Sequence, residues 1–530
     1  MSRRYSIVTP VYDPPADVLR QTIDSVRAQT HRNWELVLVD DKSPSAHVLE
    51  VLREAASGDE RITVVERDAN GGIVAASNDG LDVANGDFVG LLDHDDVLTP
   101  EALAMVDLYA DRHPEMDYCY SDEDLLDPEG HAVAPFYKPD WSPERLRSQN
   151  YLGHFSVFRA ELLEEIGGFR PGFDGSLDYD IFLRATEAAR EVVHIPYVLY
   201  HWRQLPTSVA SGDTSVKPYA YVAGRSALQA HCDRLGIDAE VEMADHLGNY
   251  HIRRRPRADA TVSVIVPTSG ATGRVWGIER RFVVDAVQSV VASTSRDVEF
   301  VVVHDPSTPG TTLDAIRRAA GSAPVVMYAE AGADAAMINL GVARASGDFV
   351  LLIDESIEVQ TEEFLDPLVA LADDPAVGAV GCKTYFADGR VNDAGHVYHG
   401  RPQPIMSGRA SYEVGPGGLL VVQREVSGLS SAAMLLRRAV FEQVGGMNPS
   451  LPRSYADIDL SLKIRHCGLA RIWTAQVELY HFVNRWIDVD AECDEGRVLL
   501  DRWGQQLAFD PYSNPNLQPG RGDWVEAGLR

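Results

Sequence analysis

No stretch of this 530-residue chain approaches the ~18 consecutive apolar residues of a membrane-spanning helix. Positive charge is scarce as well: 48 Lys and Arg stand against 79 Asp and Glu, a net charge of −31. General basicity therefore cannot attract nucleic acid. A phosphate-bearing ligand would need a divalent cation held by carboxylates, although most of the acids serve solubility. Cysteines are few, five in all, with no CxxC pair, which excludes a disulfide framework or zinc site and fits reduced thiols in a cytoplasmic protein. Ser2-Arg3-Arg4 leads straight into an apolar strand, so no signal peptide is expected. A soluble protein follows, with peripheral contact at the inner face of the membrane still compatible. After the first strand there is no GxGxxG and no Gly-rich loop with Lys; Pro10-Val-Tyr-Asp-Pro-Pro15 stands there instead. Dehydrogenase and nucleotidyltransferase fingerprints are thus absent.

What is present is an internal repeat. Tyr5-Ser-Ile-Val-Thr-Pro10 returns as Val262-Ser-Val-Ile-Val-Pro267, and Phe88–Asp95 as Phe349–Ser356. Leu177-Asp-Tyr-Asp180 returns as Ala456-Asp-Ile-Asp459, and Leu199-Tyr-His201 as Leu479-Tyr-His481. The offsets are 257 (5 to 262), 261 (88 to 349), 279 (177 to 456) and 280 (199 to 479). A chain of this length suits two domains of about 250 residues each. Residues 1–255 form the expected first domain and 262–509 the second. A basic linker spans 256–261, marked by the run Arg253–Arg257 and read as a solvated connector. An aperiodic tail, 510–530, is expected to lie extended over the surface.

The first hundred residues alternate strands (Ser6–Thr9, Glu35–Val39, Ile62–Val65, Phe88–Leu92) with helices (Asp17–Gln29, Val48–Ala56, Ile73–Ala84). That alternation predicts an α/β domain with a mostly parallel sheet, whose ligands lie beyond the carboxyl ends of the strands. Beyond Asp95 the pattern becomes irregular, and Asp122–Asp140 reads as loop-rich.

Six acidic residues fall at candidate strand or helix ends. In Asp93-His94-Asp95 two carboxylates flank one residue after five apolar ones, a spacing that can reach one Mg²⁺ or Mn²⁺ and leave room for diphosphate oxygens. Such triplets are common in turns, so the position after a buried strand carries the weight. Asp40-Asp41 ends another apolar strand, where a carboxylate can accept from a base N–H or a ribose hydroxyl. Asp178 could act as a general base, and Asp180 as a carboxylate favoured by a helix N-terminus; in isolation both would read as caps. His201, beside Trp202 and Arg203, could be a third metal ligand or a phosphate contact, though a histidine among aromatics is commonly structural. Trp141 and Trp202 could stack on sugar faces or simply pack.

Nine ordered stretches make the chain resemble family 2 glycosyltransferases of the GT-A fold, in the tandem branch of bacterial cell-surface polysaccharide assembly. They are Thr9–Asp13, Val39–Ser43, Leu92–Asp96, Tyr120–Asp124, Tyr137–Pro143, Asn150–His154, Gly167–Phe169, Gly175–Asp180 and Tyr200–Arg203. The likeness covers Tyr5 to about Ala210 and Val262 to about His481. It implies two tandem Rossmann-like GT-A domains and an inverting transfer of sugar from a nucleotide-diphosphate sugar to a hydroxyl of a glycan, lipid-linked or on a growing surface polysaccharide. It further implies that Asp41 with Asp40, Pro10 and Tyr12 bind the nucleotide, and that Asp93 and Asp95 hold the divalent metal on the diphosphate. His201 and Arg203 would face metal or diphosphate. Asp178 matches the base of the family's Glu-Asp motif, with Leu177 in place of the usual Glu, so the base lies between Asp178 and Asp180.

The second copy departs at these positions. His304-Asp305 aligns with Asp40-Asp41, and Asp354-Glu355-Ser356 with Asp93-His94-Asp95, losing the second carboxylate. Glu355 or Glu358 would have to compensate, while Asp457, Asp459, Asn339 and His481 remain. A catalytically silent partner that binds acceptor glycan or packs the first unit is the favoured reading, against a metal-independent transferase or one with rebuilt ligands in which Asp354, Glu355, Asp457 and His481 form the site. Two readings from other classes stand beside transfer: a non-catalytic glycan- or nucleotide-binding scaffold, and a glycosidase, which would leave the nucleotide-site acids without a role.

Overall fold

The computed structural model describes residues 3–204, 218–321, 325–328, 334–483, 489 and 493–528. The last part of the first matching stretch, 205 to Ala210, lies outside them. The chain divides into two compact units, Met1–Trp141 with Gln149–Ile252 and Ser142–Ser148 with Arg253–Arg530.

The elements run β1 (Tyr5–Val11), α1 (Ala16–Arg27), β2 (Trp34–Asp40), α2 (Ala46–Gly58), β3 (Ile62–Glu66), α3 (Gly72–Val83), β4 (Phe88–Leu91), β5 (Val97–Leu98) and α4 (Ala102–Arg112). They continue with β6 (Met116–Leu126), β7 (Ala132–Phe136), α5 (Pro143–Leu146), β8 (Ser156–Arg159), α6 (Ala160–Ile166), α7 (Leu177–Ala188), β9 (Glu191–Arg203) and α8 (Pro218–Leu235). The sheet order in the first unit is β3-β2-β1-β4-β8-β6-β9-β5, with β7 on β6. The β3-β2-β1-β4 half is parallel, as expected of strands joined through helices. β8 then runs antiparallel to β4 and β6, while β6 and β9 are parallel. Every residue of β2 is buried, which explains its unbroken apolar run between Trp34 and Asp40. Val18, Leu19, Ile23 and Val26 form the buried stripe of α1. A Cβ on Gly80 in α3 would stand 2.5 Å from Val8 Cγ1, so only glycine lets this helix press onto β1.

The second unit repeats the plan. Its sheet places Val325–Met327, Val298–His304, Val262–Thr268, Phe349–Ile353, Ala433–Arg437, Val377–Tyr385, Ala470–His481 and Ile357–Val359 side by side in that order. The directions match too: Val262–Thr268 is parallel to both neighbours, and Ala433–Arg437 is antiparallel to both of its own. Internal braces recur. Glu35 accepts from Ser6 Oγ and Asn85 N, and Glu299 from Ser263 Oγ and Ser346 N. Asn78 brackets Phe169 through both its amide atoms at 2.9 Å, and Asn339 brackets Met447 at 2.8 and 2.9 Å. Gly341, like Gly80, leaves 2.5 Å between its would-be Cβ and a branched side chain, here Ile265. Asn339 is therefore a scaffold residue.

Three expectations differ from the structure. The region read as loop-rich from Asp122 opens on the second half of β6, an eleven-residue strand buried from Met116 to Asp124. Its acids look like loop residues in sequence, yet each has a basic partner: Asp122 with His194 (2.9 Å), Glu123 with Lys138 (3.0 Å) and Asp124 with His201 (2.5 Å). Arg254 in the basic run is not solvated. It pairs at 2.5 Å with Glu144, which also takes Arg147 at 2.6 Å and Gln423 at 2.7 Å within the second unit. The tail is not merely laid over the surface, because Asp510, Ser513, Asn514 and Leu517 are buried and Asp510 accepts from the Tyr398 amide.

Candidate active site

In the first unit the carboxyl ends of β1, β2 and β4 carry Pro10, Asp40 and Asp93, as a parallel sheet with helical crossovers requires. Just past β4 the chain turns through Asp93–Asp96, closed by the Asp96 amide on the Asp93 carbonyl (3.3 Å). Asp96 is buried and accepts from Tyr200 Oη (2.5 Å) and the Arg203 amide (2.8 Å), both on β9. Arg203 straps the turn by donating to the Asp95 carbonyl (2.7 Å) and to Gln21 (2.8 Å). His154 enters from the loop before β8, stacked on Tyr200 at 4.5 Å with Trp202 tilted against it at 5.4 Å. Trp202 thus packs on a site residue, whereas Trp141 is partly buried.

Among the described residues, Asp93, Asp96 and His154 form the group that could hold a metal, their ligand atoms lying within 4.8 Å of one another. This is a different triad from Asp93, Asp95 and His201. His201 donates through Nδ1 to Asp124, because the β6–β9 register sets the two opposite each other. Asp95 is partly buried on the same turn. Burial, then the Asp93 charge, raises its pKa against the pull of His94 and Arg203. Burial and the charges of Asp93 and Asp95 lift Asp96 further. For His154, burial alone would lower the pKa. The Glu123 carboxylate at 3.4 Å, with Asp93 and Asp96, outweighs it and holds the imidazole up at about 9. Lys138, fully buried, anchors this loop by donating to Glu123, to the Leu152 carbonyl and to the His154 carbonyl.

The two carboxylates of Asp178-Tyr-Asp180 have separate environments. Asp180 is buried and clamped by Arg170 and Arg184, with Arg184 Nε at 2.9 Å. Asp178, in the first turn of α7, is partly buried and accepts from Asn150 Nδ2 at 2.8 Å. Burial raises its pKa, the nearby Asp93 charge adds to this, and the Tyr179 amide, His154 and Asn150 oppose it. On the nucleotide side, Asp41 spends its oxygens on Arg67 (2.5 Å) and the Gly71 and Gly72 amides (2.8 Å each), at the N-terminus of α3. Asp40 accepts from the Ser43 amide (3.1 Å), the Pro10 carbonyl faces His94 Nδ1 (3.1 Å), and Tyr12 is half exposed.

Asp96, His154, Glu123 and Lys138 were not singled out from the sequence. Asp96 and His154 each close one of the stretches that carried the resemblance, and that was the available signal. Lys138 reads as a surface residue until its three acceptors are seen.

The equivalent turn of the second unit is self-compensated. Asp354 is buried, accepts from Ser356 N (2.8 Å) and Oγ (2.6 Å), and pairs with Arg453 at 2.5 Å. Glu355 turns back onto Thr268 and Ser269, and Glu358 pairs with Arg280, so neither joins Asp354. His304 Nδ1 contacts the Asp305 carbonyl, and Asp305 accepts from Ser307. Asp459 repeats the role of Asp180, held by Lys463 at 2.7 Å and by Trp503 Nε1 at 2.8 Å. Asp457 and His481 line an open cleft together with Thr384, Asn392 and Arg453.

This geometry defines an α/β transferase-like unit present twice. The profile of glycosyl transferase family 2 matches residues 6–167 and 263–445, and the chain belongs to that family. It is 36% identical over 543 residues to the uncharacterized protein y4gI of Sinorhizobium fredii, covering 99% of this chain and 59% of that protein. It is also 36% identical over 539 residues to the O-antigen biosynthesis protein RfbC of Myxococcus xanthus, covering 98% and 40%. The chain thus spans about half the length of these curated relatives. A chondroitin synthase of Pasteurella multocida is 28% identical over 42% of this chain and 23% of its own. S. aureus TarS 1–349, solved with UDP-GlcNAc, covers 43% of this chain and 66% of that one at 19% identity and a TM-score of 0.36, too distant to carry an argument. Among the described residues no helix is long and apolar enough to cross a membrane.

Proposed function

We propose that the first unit transfers a sugar from a nucleotide-diphosphate sugar to a hydroxyl of a glycan acceptor, with inversion at the anomeric carbon. One observation carries this reading: Asp178, whose pKa burial raises, lies within electrostatic reach of Asp93 and His154, two members of the group that could hold a metal. Membership in glycosyl transferase family 2 and the relative named for O-antigen biosynthesis support the substrate class. A lipid-linked or surface-polysaccharide acceptor, and a site at the inner membrane face, belong to the same proposal.

Asp178 takes the proton of the acceptor hydroxyl as that oxygen attacks the anomeric carbon from the face opposite the leaving diphosphate. Burial gives this carboxylate a greater proton affinity than a solvated one, and Asn150 fixes the oxygen that accepts from it. Asp180 holds α7 in place through its two arginines and takes no proton. Asp40 accepts from the base or ribose, since Asp41 is committed to Arg67 and the start of α3. Arg203 keeps the acidic turn closed.

Asp93 and Asp96, with Asp95 beside them and with His154 once it releases its proton to become a ligand, fit a divalent metal such as Mn²⁺ or Mg²⁺. Crowded, partly desolvated carboxylates whose pKa values are raised by one another are the environment a cation relieves. When bound there, the metal would offset the negative charge that develops on the departing diphosphate. The test is turnover of a sugar-nucleotide panel with and without Mn²⁺ by wild type, Asp95→Ala and Asp178→Asn. Metal-dependent turnover lost in both variants is expected. Full transfer by Asp178→Asn would remove the base assignment, and diphosphate binding without turnover on any donor and acceptor would favour a scaffold.

A further inference from the structure

The cleft of the second unit holds three buried polar atoms with no protein partner: Thr384 Oγ1, Asp457 Oδ1 and His481 Nε2. Thr384 and Asp457 are 3% exposed and His481 is 7% exposed. A buried donor or acceptor left unpaired is costly, so three around one cavity point to a ligand that completes them. Their chemistry is mixed. Asn392 Nδ2 donates to His481 Nδ1 at 3.0 Å, which places the proton of the neutral ring on Nε2 as a donor. That N–H lies 3.6 Å from Asp354, beyond hydrogen-bond reach. Asp457 Oδ1 is an acceptor, its other oxygen being held by the Ser431 amide at 3.1 Å, and Thr384 Oγ1 is either.

Charge narrows the ligand further. Arg453, the cation on this cleft, is tied to Asp354 and to Ser431 through Nε and Nη2. Asp393 in the wall pairs with His396 at 2.9 Å. Among the described residues of this cleft no cation is left over for a diphosphate, and Ser356 stands where a divalent metal would use a second carboxylate. We infer that the second unit binds a neutral sugar of a glycan in this cleft without metal, its ring hydroxyls bonded to Thr384, Asp457 and His481. A hydroxyl both donates and accepts, so one ligand class satisfies all three atoms. Arg453 replaces, from within the chain, the positive charge that the first unit takes from a cation.

The experiment is saturation-transfer NMR on the full chain in EDTA, with methyl α-glycosides of glucose, galactose, mannose and N-acetylglucosamine as probes. Binding of at least one is expected in EDTA, weakened about tenfold by the near-isosteric Thr384→Val and by His481→Gln, and unchanged in Asp93→Ala. Melting curves of the two cleft variants identify any that fail to fold; the other then decides. Binding that requires Mn²⁺, binding lost in Asp93→Ala but kept in the cleft variants, or no binding of any glycoside, which would leave water in the cleft, overturns the inference. Transfer by the first unit is measured separately, so its failure leaves this reading standing and the reverse.

Discussion

After equivalent strands, Phe88–Leu91 and Phe349–Ile353, the two units place an aspartate, Asp93 and Asp354, and then diverge. In the first unit three carboxylates crowd one turn with His154 against them, and burial and mutual repulsion raise the pKa values of Asp95 and Asp96. In the second unit Ser356 and Ile357 stand at the later positions, and Arg453 sits on Asp354. The surrounding frame barely changes: sheet order, the Asn78 and Asn339 brackets, the braces at Glu35 and Glu299, and the close approach at Gly80 and Gly341 all recur. A scaffold held by backbone pairing and small buried hydrogen bonds therefore tolerates a reversal of charge balance at its mouth. One turn crowds its acids against one another, and the other pairs its acid with an arginine.

The sharpest way to break this contrast is kinetic. Asp178→Asn should lower the transfer rate by roughly 10²–10⁴-fold without moving the melting temperature, because it removes proton transfer and keeps the Asn150 contact. Steady-state turnover checks this, and full activity in that variant would remove Asp178 as the base. Next in size, Arg453→Ala should cost about 3–5 kcal/mol of unfolding stability, since it strands buried Asp354 without its partner. Denaturant titration measures it, and the double change Arg453→Met with Asp354→Asn should recover most of the loss.

Asn78→Ala and Asn339→Ala sharpen the shared half of the comparison. Each removes two hydrogen bonds to one backbone segment, so each should cost about 1–3 kcal/mol, and by similar amounts. A large inequality between them in denaturant melts would show that the frames are not energetically alike. The smallest effect concerns acid. Hydrogen bonds from Arg190 outweigh burial and, with Arg159, hold Asp117 down at about 2, below its ordinary 3.8. Its contribution is present above pH 3.8 and is lost as pH falls toward 2. The stability gap between wild type and Asp117→Asn should therefore close over that window, as melting at stepped pH would show.

Much of the frame was legible because the signals are local. Apolar runs ended by an acid gave β2 and β4, helical spacing gave α1, and the ordered repeat announced a second copy. The β6 strand was not legible, because Asp122, Glu123 and Asp124 look solvated until His194, Lys138 and His201 arrive from positions 15 to 77 residues away. The same physics separated Asp178 from Asp180. Both begin one helix, and only the folded chain brings Arg170 and Arg184 onto the second. His154 and Asp96 were visible as motif letters without a role, since their common target is assembled by strands far apart in the chain.

Sequence alone determined the α/β alternation, the duplication, the family, and the loss of an acid at Ser356, since each is written in neighbouring residues or their order. Tertiary structure decided which acids are spent and which are available. Asp41, Asp124 and Asp180 were answered by basic groups from elsewhere in the fold, while Asp93, Asp95 and Asp96 were gathered without enough of them. Whether a carboxylate is a brace or a ligand depends on what packs within a few ångströms of it, and that distance exists only after folding.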